Sequence, residues 1–163
     1  MLNLPLADRS LDAADRASLA ERQAATRWAC LLQEGEVIVL AALVFKRRHL
    51  SVKRRQLVLA DGGFGCRLLY ADPDTAELKG EIPWSAAIEG EVLPNGHFRI
   101  HVPRRTYYLE DGTGDPANAE LWVNTILRLK HRLAAGGEGS EGGGASSVRT
   151  SRAGSRGSFS QSR

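Results

Sequence analysis

The chain is poor in the residues on which many catalytic, metal-binding and secreted domains depend. Among its 163 residues there are two cysteines, Cys30 and Cys66, and one methionine. Two such thiols form neither a metal-ligand spacing nor a disulfide framework, and both are expected as buried free thiols in a reducing compartment. The four histidines (His49, His97, His101, His131) also lack metal-ligating spacing. The longest apolar run, "VIVLAALVF" (37–45), is about half the length of a membrane-crossing helix. The start, "MLNLPLADRS", has no basic lead into its short apolar stretch, which argues against a secretory signal. Kinase catalytic motifs are missing: there is no His-Arg-Asp and no Asp-Phe-Gly. "DGGFG" (61–65) lacks the third glycine of a nucleotide loop and falls between strand patterns, so it reads as a turn. The chain reads as non-catalytic, with no cofactor implied.

What is present is charge in one place. Net charge is only +3, and the last thirty residues contribute +2 of it through Arg149, Arg152, Arg156 and Arg163 against Glu138 and Glu141. The rest is nearly neutral, yet "KRRHLSVKRR" (46–55) holds six Lys or Arg in ten positions. A basic cluster in a neutral domain is a placed feature. Ser51, preceded by "RRHL", also stands in a basic context that suits phosphorylation.

Periodicity divides the chain. Residues 8–32 are Ala-rich with helical spacing, Ser10 or Asp12 is available as cap, and Gly35 lies just beyond. From 36 to 109 the period becomes two. Segments 36–45, 52–60, 66–71, 77–84, 96–102 and 105–111 read as short strands separated by turns such as "DPDT" (72–75). "AALVF" (41–45) is read as strand rather than as an apolar loop tip. A last helix is expected over 116–133, with Asp115 as N-cap, Pro116 at its first position, and Trp122, Ile126, Leu129 and Leu133 as its apolar stripe. The expected organisation is a tail (1–13), a domain with an N-terminal helix (14–133) and a disordered Gly/Ser/Arg-rich tail (134–163). The fold class is mostly β with capping helices: an antiparallel barrel closed by a C-terminal helix.

Parity along the second strand sharpens the cluster. Lys53, Arg55, Leu57 and Leu59 share one face, while Val52, Arg54, Gln56 and Val58 share the other. Leu57 and Leu59 are the core candidates, so Lys53 and Arg55 point the same way but at the strand's start. Cations buried there would be costly. An open mouth, with leucines below and cations at the rim, resolves this. Lys46, Arg47 and Arg48, placed in the preceding turn, would border the same rim.

Longer stretches carry a resemblance. "LKGEIPWS" (78–85), "RRQL" (54–57), "HFRIHVPRRTYYL" (97–109) and "NAELWVNTI" (118–126), with "ERQA" (21–24) and Trp28 upstream, resemble the pleckstrin-homology domains of the phosphoinositide-dependent protein kinase 1 family over residues 14–133. The resemblance implies a pleckstrin-homology-like fold with an N-terminal helical extension. It implies binding of 3-phosphorylated phosphoinositides or inositol polyphosphates, a cytoplasmic location peripheral to the plasma membrane, and recruitment of the chain or an associated kinase. The headgroup phosphates would be held by Lys46, Arg47, Arg48, Lys53, Arg55, Lys79 and Arg105. Lys53 stands where the family commonly has arginine, so it keeps the charge but loses a bidentate fork.

Attraction alone would not suffice. Six cations near an anionic leaflet give roughly 6 kcal/mol, and micromolar binding needs about 8 kcal/mol. Directed contacts must supply the rest. Two rivals remain: a nucleic-acid or nuclear-import reading of the two basic blocks, which is disfavoured by the Leu57/Leu59 parity, and a protein-interaction scaffold or regulatory piece of a kinase.

Overall fold

The computed structural model describes residues 13–62 and 65–136. Its elements are α1 (Ala13–Ala24), a short 3-10 turn (Ala29–Leu31), β1 (Val37–Arg48), β2 (Ser51–Asp61), β3 (Cys66–Ala71), β4 (Leu78–Ile82), β5 (Glu89–Val92), β6 (His97–Val102), β7 (Arg105–Asp111) and α2 (Pro116–Gly136). The strands form one antiparallel sheet in the order β4-β3-β2-β1-β7-β6-β5. The expected barrel is corrected to an open sheet. β4 and β5 are its two ends, of five and four residues, and they do not pair with each other. α2 packs against β5, β6 and β7 and covers the core at that side.

The core lies between the sheet and α2. Leu57, Leu59, Leu68, Ile82, Phe98 and Ile100 meet Trp122, Ile126 and Leu129, the stripe anticipated for the helix. Phe98 and Trp122 stack with centroids 6.4 Å apart. Asp115 caps the helix, its Oδ1 accepting from the Ala117 N–H at 2.9 Å. Gly90 of β5 lies directly under Val123, where an added Cβ would come within 3.1 Å of the valine Cγ1. A side chain there would push the helix off the sheet. β5 escapes the sequence pattern because "EGEV" has no apolar alternation and is largely exposed.

The N-terminal region departs from a single helix over 8–32. α1 ends at Ala24, where the Thr26 hydroxyl and N–H both donate to the Gln23 carbonyl and close the turn. The expected caps Ser10 and Asp12 and the tail 1–12 lie outside the described residues. So does the C-terminal tail from 137 on, while 134–136 continue α2.

A second small core forms on the other face of the sheet, from Leu31, Ile38, Ala41, Val58, Leu69 and Ala71 under Trp28 and Leu32. Both faces of β2 are therefore covered at its far end. α1 also shields the edge of β1, which pairs with β7 only from Val44 to Arg47. There Gln23 acts as a strand substitute: its Nε2 donates to the Ile38 carbonyl at 2.8 Å, and the Ile38 N–H donates to its Oε1 at 2.6 Å. Of the two cysteines only Cys66 is buried; Cys30 is exposed, since it sits on the 3-10 turn outside both cores.

Candidate functional site

β1 and β2 are joined by two residues, His49 and Leu50. His49 takes a left-handed backbone (φ 47) to make the reversal. Lys46, Arg47 and Arg48 therefore belong to β1 and not to a turn, and they alternate. The register pairs Lys46 with Lys53, Arg48 with Ser51 and Val44 with Arg55, so these side chains share one face. Arg47 pairs with Val52 and Phe45 with Arg54, on the opposite face.

The shared face opens into a hollow of about 700 Å3, lined by Lys46, Arg48, Lys53, Arg55, Lys79 and Arg105, with Tyr70 and the turn residues. Six of the seven expected cations are thus brought together from β1, β2, β4 and β7. Arg47 is not among them. Its guanidinium reaches across to Glu110 at 2.8 Å and borders a neighbouring depression beside Arg104 and Tyr108. Arg54 also points away, pairing with Asp74 at 2.8 Å.

Among the described residues no carboxylate lines the hollow; acids touch it only from outside. Lys79 contacts Glu77 at 2.6 Å, and Arg55 stands 3.9 Å from Asp72. Asp72 accepts the N–H groups of Asp74 and Thr75, which hold its carboxyl below the usual carboxylate range. Among the described residues, Lys46, Arg48 and Lys53 form no ion pair with an acid. Lys46 and Lys53 even face one another across the ladder, an unfavourable like-charge pair.

Aromatic rings replace the missing acids. Lys46 Nζ sits 3.8 Å from the Tyr70 ring centroid and 5.6 Å from that of Tyr107, and Arg105 lies 4.5 Å over Tyr107. Such contacts orient a cation without neutralising it. Burial pushes the Tyr107 phenol up, so the ring remains neutral. Tyr70 needs Gly80 opposite, because a Cβ on Gly80 (φ 153) would overlap the tyrosine hydroxyl. Tyr70 was absent from the expected site. Its signal was available: Cys66, Leu68 and Tyr70 alternate on the core face of β3, with Tyr70 nearest the mouth. What the arrangement offers chemically is a cluster of fanned-out cations for a compact, multiply charged oxyanion.

An open antiparallel sheet covered by one C-terminal helix, with a cationic hollow at the tip of its first hairpin, defines a class of small sheet-and-helix module. The chain belongs to the PH domain family, whose profile matches residues 26–135. It is 44% identical over 95 residues to the probable serine/threonine-protein kinase pdkA of Dictyostelium discoideum, covering 58% of this chain and 13% of that protein. It is 41% identical over 96 residues to human 3-phosphoinositide-dependent protein kinase 1, covering 59% and 16%. The chain thus matches only a small part of the length of these relatives. Among solved structures, the C-terminal PH domain of pleckstrin in complex with D-myo-Ins(1,2,3,5,6)P5 is similar in fold, with a TM-score of 0.50 and 22% identity over 58% of this chain and 96% of that one.

Proposed function

We propose that the chain binds 3-phosphorylated phosphoinositides and inositol polyphosphates, and thereby places itself, or a kinase to which it belongs or binds, on the cytoplasmic side of the plasma membrane. One observation carries this reading: six cations from four strands converge on one open hollow that, among the described residues, no carboxylate lines. The hollow is large enough for an inositol ring with its phosphates. Lys46, Arg48, Lys53 and Arg55 would grip from the hairpin, with Lys79 and Arg105 closing from the sides. Arg47 would act at longer range, as one more positive charge beside the membrane. The inositol pentakisphosphate named for the pleckstrin domain and the phosphoinositide dependence named for the human kinase support the ligand class. A protein scaffold that added a strand along β1 would meet Gln23 of α1, which already pairs with Ile38 there.

Sedimentation with phosphatidylcholine vesicles, with and without a 3-phosphorylated phosphoinositide, tests the reading. Wild type is expected to pellet only with the phosphoinositide. Arg55→Ala should weaken that binding by tenfold or more, the loss of a charged hydrogen bond worth about 1.5–3 kcal/mol. Equal pelleting on all vesicles, or none on any, would overturn it. Binding to nucleic acid with a steep salt dependence would favour the nucleic-acid reading instead.

A further inference from the structure

The hairpin tip carries a group that headgroup binding does not require. Ser51 is the first residue of β2, exposed, and on the wall of the hollow. We propose that Ser51 is a phosphorylation site, and that its phosphate occupies the chain's own cationic hollow and shuts out the headgroup; this rests on the reading of the hollow given above.

Sequence and geometry support it independently. Arg48 and Arg47 lie three and four residues before Ser51. That placement suits a serine kinase whose acidic subsites read arginine on the N-terminal side. Access is simple as well. The Ser51 hydroxyl donates to the Arg48 carbonyl at 3.1 Å, across the two-residue turn. Arg48 and Ser51 are the last paired residues of the hairpin, so little of the ladder must open for the segment to extend.

The step is a phosphoryl transfer from MgATP. The γ-phosphorus bonds to Ser51 Oγ, its bond to the β,γ-bridging oxygen breaks, ADP leaves, and the hydroxyl proton passes to solvent. The product carries about −1.5 to −2 charge and three strong acceptor oxygens. Two cations stand nearest on the same face: Arg48, its cross-strand partner, and Lys53, two residues along. Among the described residues neither has a carboxylate to give up. A phosphate fixed there would take the charge that a headgroup needs and repel the next polyanion.

The test treats the whole chain with MgATP and the catalytic subunit of an arginine-directed serine kinase. Modified peptides are mapped by mass, and inositol 1,3,4,5-tetrakisphosphate is titrated before and after. Ser51 is expected to be modified, and the affinity to fall by about tenfold or more, within the range of strongly coupled sites. A phosphatase should restore it. Ser51→Ala, which keeps the serines that follow arginine near the C-terminus ("RTS", "RAGS", "RGS"), should have the same probe affinity before and after kinase treatment. No phosphate on Ser51 overturns the site. Full modification with affinity unchanged within twofold overturns the switch and leaves the hollow's proposed role intact. Failure of the untreated chain to bind the probe overturns both.

Discussion

The two ends of the β1–β2 hairpin can be set side by side. At the far end Asp61 is 1% exposed and receives two arginines from two helices. Arg16 of α1 approaches its carboxylate at 3.1 Å and donates to its carbonyl at 2.8 Å, and Arg132 of α2 reaches the carboxylate at 2.7 Å. At the tip, Lys46, Arg48 and Lys53 share a wall with no acid beside them among the described residues, and Leu50 stands fully in solvent. The same two strands thus hold charge that is neutralised at one end and charge that is left open at the other. A cation with a buried acid at hydrogen-bond distance is joining parts of the fold. A cation resting on a tyrosine, opposite another cation, costs the fold something and fits an external anion.

At neutral pH, Asp61→Asn should have the largest effect. It leaves Arg16 and Arg132 facing a neutral group in a largely buried place and loosens both helices from the end of β2. A loss of about 3 kcal/mol is expected, read from urea unfolding. Inositol tetrakisphosphate affinity, measured well below the unfolding transition, should stay within twofold. A stability cost below about 0.5 kcal/mol, no more than a surface pair would give, would break the contrast between the two ends.

The next effect concerns Cys66, beside Asp61, with its Sγ 3.9 Å from the carboxylate. Burial, and then the Asp61 charge, push this thiol from 9.0 up to about 12, despite the two arginines. The unfolded thiol ionises first as pH rises, so the unfolded state then binds fewer protons than the folded state. Stability should fall from about pH 9 towards pH 12, at a limiting slope of about 1.4 kcal/mol per pH unit from this group. Chemical unfolding of wild type and Cys66→Ala across that range checks it, since the variant should lose this contribution to the slope.

How much of this was legible in the sequence follows from where the signal is local. The Asp115 cap and the Trp122–Leu133 stripe need only neighbours along one helix, and both were readable. The parity of Lys53, Arg55, Leu57 and Leu59 was equally local, and it placed Lys53 and Arg55 on the wall they occupy. Arg47 belongs to the rim only if 46–48 form a turn. A two-residue reversal lets β1 run on to Arg48, and alternation then turns Arg47 outward. β5 was invisible because an exposed edge strand needs no apolar alternation. The second core under Trp28, the Gln23 pairing with Ile38 and the grip on Asp61 are contacts between distant segments, and no local period announces them. The open sheet has the same cause, since strand order depends on which edges are covered and by what.

The smallest effects on stability are expected at two adjacent residues with opposite consequences for binding. Arg54 lies half exposed against the more exposed Asp74, on the face away from the hollow. Arg54→Ala should change stability by no more than about 0.5 kcal/mol and leave headgroup affinity unaltered. Lys53→Met should also leave stability within about 0.5 kcal/mol, with any change a gain, because it removes the like charge facing Lys46. Yet it should weaken tetrakisphosphate binding by about tenfold, the loss of one charge-assisted contact. Urea unfolding and calorimetric titration of the two variants separate the faces of a single strand. Were Arg54→Ala to weaken binding as much as Lys53→Met, charge density and not direction would govern the tip, and the two ends of the hairpin would differ only in how many acids stand nearby.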